Sequence, residues 1–267
     1  MIRLALRVER AHAESALAEL LELAPGGVEE VDDGEVVEYA VYGPPGELPA
    51  LPDVQAAIGG ALVEVRTTEL PDDWSERWKD FHRPLVLGDR LAVRPPWEEP
   101  LGAAVEIVID PAQAFGTGSH ATTRLCLELL LELPARSGTL LDLGCGSGVL
   151  AIAAAKLGFR PVLAVDFDPL SVEATQANAT ANGVELEVRR CDLRSDPIPT
   201  APTVLANLLR PLLLDCAARL TDPPSTLIAS GLLTHEADEV AAAFARHGLR
   251  ERARRERGEW AALWLRS

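Results

Sequence analysis

The residues best suited to chemistry lie in one glycine-rich segment, Asp142 to Gly148, which reads DLGCGSG. An apolar run typical of a buried strand precedes it, and an apolar helical pattern begins directly behind it. Glycines allow the backbone to approach a ligand closely, and the first turn of a helix presents N–H groups that lack a partner within the helix. The segment therefore predicts a binding site for a small ligand with an anionic group.

The spacing of the glycines separates two kinds of ligand. A dinucleotide-binding turn has the form G-x-G-x-x-G, but Val149 occupies the place of its third glycine. Asp142 also stands two residues before Gly144, where a negative charge would repel a pyrophosphate. A carboxylate there suits the ammonium group of an amino acid, while Gly144, Gly146 and the helix start suit its carboxylate. We therefore predict S-adenosylmethionine as the cofactor, in preference to a nicotinamide or flavin nucleotide.

Polar residues at the ends of the next three predicted strands extend this site. Asp166 ends the second strand, where a carboxylate can accept hydrogen bonds from both ribose hydroxyls, and Asp168 is expected to cap the following helix. Asp192 follows the third strand and is either a ligand of the adenine amino group or an ordinary loop acid. Asn207 ends the fourth strand, where its amide can accept from a substrate N–H and orient the nitrogen lone pair. No Pro-Pro-aromatic sequence follows Asn207, which favours an aliphatic amine as the substrate.

A second glycine segment, FGTGSHATT, precedes this region and runs directly into a predicted helix. It is typical of a loop that folds over a bound ligand. We predict that Phe115 and Thr117 contact the cofactor and that Thr122 or Thr123 contributes a hydroxyl. His120 is a possible base, but a capping or packing histidine is the preferred interpretation. No metal site is predicted.

From residue 120 onward, helical patterns alternate with apolar strand-like runs, which predicts a mostly parallel sheet with helices on both faces. Ligands of such sheets bind beyond the carboxyl ends of the strands, so the motifs above are expected to meet there. Two strand-like runs, at 85–93 and 105–110, precede the alternation. The predicted helices are 122–133, 149–157, 170–182, 211–220 and 235–247, and the predicted strands are 139–143, 162–166, 186–190, 203–207, 226–230 and 260–265.

The first 66 residues predict a separate unit. The patterns give strands at 2–8, 28–31, 35–42 and 61–66 and helices at 13–23 and 54–58. This βαββαβ order is that of a small α+β ferredoxin-like domain. Residues 67–83 are predicted to form a connector with a short helix, on which Trp74 and Trp78 share one face. Residues 84–267 then form the ligand-binding domain.

Charge and composition limit the class of protein. The net charge is −16, and residues 1–70 contribute −10 of it through 14 acidic residues against 4 arginines. This balance argues against nucleic acid as a partner and suits a basic protein, although an ordinary solvated surface is an equal alternative. Neither a signal peptide nor an apolar span is seen, so a cytoplasmic protein without a membrane partner is expected. Four widely spaced cysteines predict free thiols.

Taken together, these segments resemble the ribosomal protein L11 methyltransferase family (PrmA) from about Asp73 to the C-terminus. The segments that carry the resemblance are Trp74/Trp78, Arg83-Pro84, Pro96-Trp97, Asp110-Pro111, Ala114–Thr123, Asp142–Ala153, Asp166–Pro169, Ala206–Leu208, Ser230-Gly231 and Gly258–Trp260. The resemblance implies a seven-stranded Rossmann-like class I methyltransferase domain in which Thr123, Gly144, Asp166 and Asn207 contact the cofactor. Cys191-Asp192 is more typical of methyltransferases in general.

The resemblance also implies a reaction and a partner. The N-terminal unit would recognise the substrate, a basic large-subunit ribosomal protein, and lysine side chains or the N-terminal amine would receive the methyl groups. We expect a monomer, in-line attack by a neutral amine on the sulfonium methyl group, and S-adenosylhomocysteine as the product. Deprotonation by solvent is the default, because no residue stands out as a general base. The alternatives are methylation of another protein or a small amine, and an inactive cofactor-binding scaffold.

Overall fold

The computed structural model of the chain contains three β-sheets in the residues that it describes, which are 2–13, 16–17, 20, 28–32, 34–43, 48, 62–69, 84–110, 120–134 and 136–267. By their contacts, the residues group into two units, Met1–Phe81 and His82–Ser267. The predictions for Phe115, Thr117, the Trp74/Trp78 helix and the helix at 54–58 lie outside the described residues.

The first unit contains a four-stranded antiparallel sheet. Its strands are β1 (Ile2–Glu9), β2 (Glu29–Asp32), β3 (Val36–Gly43) and β4 (Leu62–Glu69), in the order β2-β3-β1-β4. This order agrees with the predicted ferredoxin-like unit, and the helical residues Ala13, Ala16 and Leu20 pack in its core. Strand β4 continues to Glu69, three residues into the predicted connector.

Alternation along β1 explains why this sheet has one apolar and one charged face. Leu4, Leu6 and Val8 are buried in the core. On the opposite face, Arg3 donates to Glu38 across the strand pair at 2.6 Å, and Arg7 lies 3.7 Å from the same carboxylate. Because side chains alternate between the faces of a strand, this pattern fixes which side of the sheet is covered.

A small three-stranded sheet opens the second unit. It consists of β5 (Leu85–Leu87), β6 (Leu91–Arg94) and β7 (Val105–Val108). The prediction of one strand-like run at 85–93 was wrong, because β5 and β6 form an antiparallel hairpin. The chain reverses at Gly88, whose φ of +61° lies in the left-handed region that glycine adopts without strain.

The main sheet has the seven strands that the Rossmann-like class predicts. They are β8 (Leu140–Leu143), β9 (Val162–Asp166), β10 (Glu187–Arg190), β11 (Thr203–Asn207), β12 (Thr226–Leu233), β13 (Arg250–Arg257) and β14 (Trp260–Arg266), in the order β10-β9-β8-β11-β12-β14-β13. All the pairings are parallel except those of β14. The strand order reverses direction at β8 and β11, and this reversal is where such sheets bind ligands.

Helices cover both faces of this sheet. They are α1 (Ala121–Glu132), α2 (Val149–Lys156), α3 (Pro169–Ala181), α4 (Arg210–Ala218) and α5 (Ala237–Ala245). One core contains residues of α1, α2 and Leu140 of β8, and the other contains residues of α4, α5 and Leu141 of the same strand. Strands buried on both faces read as continuous apolar runs, which is why the pattern revealed them.

Strand β13 was not predicted. Its sequence, RERARRER, contains a single apolar residue, Ala253, and it forms an exposed edge of the main sheet. Arg254 and Arg255 contact carboxylates of Asp238 and Glu132, at 2.6 and 2.8 Å. The four cysteines are free, as expected, and all four are buried. None of the helices in the described part of the chain combines the length and the apolar character that a membrane span requires.

Candidate functional site

The predicted site residues meet at the carboxyl end of the main sheet. Leu143, the last residue of β8, is the register partner of Val165 on β9 and of Ala206 on β11. The residues that follow these positions are Gly144, Asp166 and Asn207. The sheet therefore brings together the glycine turn, the acid predicted to bind ribose and the amide, which the sequence predicts to share one site.

Asp166 holds the glycine turn against β9. Its Oδ2 accepts from Gly146 N at 2.9 Å, and its Oδ1 accepts from Asp168 N at 3.1 Å. The amides of Gly144 and Cys145 both donate to Val165 O. Burial raises the pKa of Asp166 above its ordinary value. Since each carboxylate oxygen can accept more than one hydrogen bond, these contacts leave capacity for a hydroxyl group of a ligand.

Helix α3 fixes the conformation of the same turn. Thr175 Oγ1 donates to Gly146 O at 2.8 Å, and Asn178 Nδ2 donates to Ser147 O at 2.9 Å. Asn178 Oδ1 also accepts from Asp110 N at 3.2 Å, which links the turn to the segment behind β7. Neither side chain was predicted from the sequence. Their i,i+3 spacing places them on one face of the helix, but that signal does not show what the face contacts.

Asp142 lies beneath the turn and is fully buried. Its Oδ2 accepts from Ala151 N at 3.0 Å, in the first turn of α2, where the N-cap Gly148 has no side chain to do so. Its Oδ1 has no hydrogen-bond partner among the described residues. Burial raises the pKa of Asp142 to about 7, and the negative charge of Asp166 adds to the rise. An unpartnered buried oxygen is costly, and a cationic ligand group would offset that cost.

This geometry predicts an unusual effect of Asp142→Asn. Because the pKa of Asp142 lies above its ordinary value of 3.8, the folded chain holds a proton that the unfolded chain loses as the pH rises from about 4 to 7. The free energy of unfolding therefore falls over that range. Asparagine cannot ionise, so Asp142→Asn is expected to be more stable than the parent at pH 8, by about 1–2 kcal/mol, but not at pH 4.

Thermal unfolding of the ligand-free chain at both pH values measures this difference. Calorimetry with S-adenosylhomocysteine is expected to show about tenfold weaker binding at pH 8 (about 1.4 kcal/mol), because Asp142→Asn removes the charge that is predicted to face the ammonium group. Asp222→Asn, at an exposed acid outside the site, is the control variant and is expected to behave as the parent in both measurements. If Asp142→Asn had the same stability as the parent at both pH values, the buried carboxylate would not be charged at pH 8 at a cost in stability, and the prediction would be wrong.

Asn207 contacts the side chain of Thr123. The Asn207 Nδ2 group donates to Thr123 Oγ1 at 3.5 Å, and Thr123 is buried. The sequence predicted that either Thr122 or Thr123 contributes a hydroxyl to the site. Of the two, Thr123 contacts the residue that is predicted to orient the amine. Thr122 has a different role, because its Oγ1 lies 2.8 Å from His120 Nδ1 and its carbonyl lies 3.3 Å from Ser230 Oγ.

Leu208 is held between two glycines, Gly144 directly after β8 and Gly231 within β12. Its N–H donates to Ser230 O at 2.9 Å. Gly231 has φ +83°, and a Cβ there would lie 2.5 Å from Leu208 O. A Cβ on Gly144, which has φ +72°, would overlap Leu208 Cδ2. Both glycines thus permit the close approach that fixes Asn207 and Leu208.

His120 and Asp168 are caps, as the sequence analysis preferred. His120 is the N-cap of α1, and its Nδ1 accepts from Thr122 N at 3.4 Å. Its ring packs edge-on against Trp260 with centroids 4.9 Å apart, and burial lowers its pKa. Asp168 caps α3 by accepting from Leu170 N at 3.0 Å.

Asp192 lies at the same end of the sheet but serves its own loop. Cys191 N donates to Asp166 O at 2.8 Å, which brings the loop beside β9. Asp192 Oδ1 accepts from Arg194 N at 3.0 Å. This contact is typical of a loop acid. The predicted contact with adenine would use the second carboxylate oxygen.

Comparison with known proteins gives one consistent result. The family model described as ribosomal protein L11 methyltransferase (PrmA) matches residues 52–267. A protein of that name from Symbiobacterium thermophilum is 35% identical over an alignment of 298 positions, which covers 98% of this chain and 97% of the relative. Another from Heliobacterium modesticaldum is 42% identical over 199 residues, 72% of this chain and 63% of the relative.

A solved structure agrees with the sequence matches. The crystal structure of the ribosomal protein L11 methylase from Lactobacillus delbrueckii subsp. bulgaricus is similar with a TM-score of 0.61 and 30% sequence identity. The similarity covers 68% of this chain and 97% of that one.

Proposed function

Because the chain belongs to the ribosomal protein L11 methyltransferase family, and is therefore a methyltransferase, we propose that it transfers methyl groups from S-adenosylmethionine to amino groups of ribosomal protein L11. The acceptors are lysine side chains, the N-terminal amine, or both. The observation that carries the proposal is the position of Asn207, which lies beside the glycine turn at the carboxyl end of the sheet and contacts Thr123.

The residues present fit S-adenosylmethionine. The buried, unpartnered Oδ1 of Asp142 suits its ammonium group, and the amides around Gly144 and Gly146, with the start of α2, suit its carboxylate. Asp166 is proposed to bind the ribose hydroxyls, and Asp192 the adenine amino group. Contacts from Phe115, Thr117 and Thr123 complete the proposed set.

The chemistry that the cofactor supplies when bound is an electrophilic methyl group on a sulfonium centre. The protein contributes by holding the amine and the methyl group in line. Asn207 accepts from the substrate N–H and directs the lone pair of the amine, and such alignment of two reactants accounts for about 7–11 kcal/mol of a barrier. His120 is already used as the cap of α1, so we propose that the amine loses its proton to solvent before it binds.

The two parts of the chain have separate proposed tasks. Residues 1–66 recognise the substrate, residues 67–83 connect, and residues 84–267 bind the cofactor and carry out the transfer. The net charge of −10 on residues 1–70 suits a basic ribosomal protein. The proposal places a monomeric enzyme in the cytoplasm, with neither nucleic acid nor membrane as its partner.

The test is incubation of the purified chain with radiolabelled S-adenosylmethionine and purified L11 from the same host. A second small basic ribosomal protein is the control substrate, and mass spectrometry locates the methyl groups. We expect label on amino groups of L11 and not on the control. Label only on other proteins or on small amines of a host extract would overturn the substrate, and no transfer at all would overturn the enzymatic function.

A further inference from the structure

Leu209 presents an apolar side chain to solvent beside the proposed amine site. It stands two residues after Asn207 and is 64% exposed. The residue between them, Leu208, is held in place by Gly144 and Gly231. The chain therefore turns one leucine toward the glycines and leaves the next one uncovered at the carboxyl end of the sheet.

Leu209 occupies a helix position at which a leucine does not stabilise the fold. Leu209 is the N-cap of α4, where serine, threonine, aspartate and asparagine are strongly preferred, and its side chain caps nothing. The caps of α1 and α3, His120 and Asp168, each accept a backbone N–H, whereas Gly148 and Glu236, the N-caps of α2 and α5, make no such side-chain bond. At Leu209 the sequence gives up both a cap and the burial of an apolar side chain. Such local conflicts are expected at functional sites.

The backbone around Leu209 is firmly held. Its carbonyl accepts from Leu212 N and Leu213 N, both at 3.1 Å. Arg210 bonds Glu236 at 3.0 Å and Glu239 at 2.9 Å, which ties the start of α4 to α5. Leu209 is thus an apolar contact surface on a fixed support, as a substrate contact requires.

We propose that Leu209 contacts the methylene groups of the target amine and excludes water from its nitrogen, so that the site selects the neutral amine that solvent has already deprotonated. This inference rests on the proposed function of the same site. A lysine carries a long aliphatic stem that gains stability against an apolar surface. Removal of water disfavours the charged amine and favours the neutral form that attacks. Leu209 therefore disfavours binding of the protonated amine, and the proton itself goes to solvent.

The test compares the parent with Leu209→Asn, Leu209→Met and Leu101→Asn, the last at another exposed leucine, in the loop before β7. Methylation of L11 is measured from pH 6.5 to 9.5, together with S-adenosylhomocysteine binding and Tm. For Leu209→Asn we expect kcat/KM to fall about tenfold and the pH midpoint of kcat, which reports the bound amine, to rise. Cofactor affinity is expected to stay within about twofold, and Tm to stay or rise by about 2–4 °C through the new cap.

The remaining results separate the alternatives. Near-parent activity in Leu209→Met and Leu101→Asn would support an apolar contact at this position alone. Unchanged kcat/KM in Leu209→Asn would overturn the inference, and so would a loss accompanied by a lower Tm and weaker cofactor binding. An inactive parent would instead refute the proposed function, so the two failures are distinct.

Discussion

Asn207→Ala is expected to reduce kcat for L11 methylation by about 10²–10³-fold while the chain still binds S-adenosylhomocysteine with an affinity within about threefold of the parent. The amide is proposed to orient the amine, so its removal acts on alignment in the transition state. Thr123 and the glycine turn remain in place, because the bond from Asn207 to Thr123 is long, at 3.5 Å.

Single-turnover kinetics and calorimetry on the same preparations measure these two effects. Gln176→Ala, which removes an exposed amide from α3, is the matched control and is expected to behave as the parent. If Asn207→Ala turned over normally with cofactor bound, the orienting role of Asn207 would be refuted.

Gly231→Ala is expected to reduce kcat about a hundredfold, although Gly231 touches no reacting atom. Its φ of +83° costs about 1–2 kcal/mol for a residue with a Cβ. In addition, that Cβ would lie 2.5 Å from Leu208 O, a backbone atom that no rotamer change can move away. Leu208 and Asn207 must then shift, and a displacement of about 1 Å costs on the order of a hundredfold in rate.

Gly248→Ala is the control that has the backbone strain of a positive φ without the clash against a neighbouring atom. Gly248 has φ +85°, but a Cβ there would have no atom within 4 Å. Both variants are expected to lose stability in thermal unfolding, Gly231→Ala more because the clash adds to the strain, and only Gly231→Ala is expected to lose activity. Equal activity in the two variants would show that the contact between Gly231 and Leu208 does not position Asn207.

The parts of the site that could be predicted from the sequence are those that directly follow the strands of the parallel sheet. The glycine turn and Asp166 follow apolar strands, and parallel strands bring their carboxyl ends together, so their meeting could be inferred from order alone. The contacts that support them could not be inferred in this way. Thr175 and Asn178 lie on α3, and only the packing of that helix shows that they hold the carbonyls of the turn.

Fold elements were missed where side-chain pattern and structure diverge. The hairpin of β5 and β6 was predicted as one run because apolar residues flank both sides of Gly88. Strand β13 was missed because its stability comes from pairing with β14, and an exposed edge strand needs no apolar face. Asp142 was predicted to face a ligand. Its hydrogen bond to Ala151 N, which caps α2, was not predicted, because it depends on how that helix is oriented against β8.

The charges on β13 also govern how copies of the chain meet. The exposed edge of a sheet is a template on which another chain can add a strand, and long apolar edges lead to aggregation. Joining here would strip water from closely spaced guanidinium and carboxylate groups, and the net charge of −16 adds repulsion at longer range. The lack of apolar residues that hid β13 from pattern analysis is therefore the property that protects this edge of the sheet from self-association.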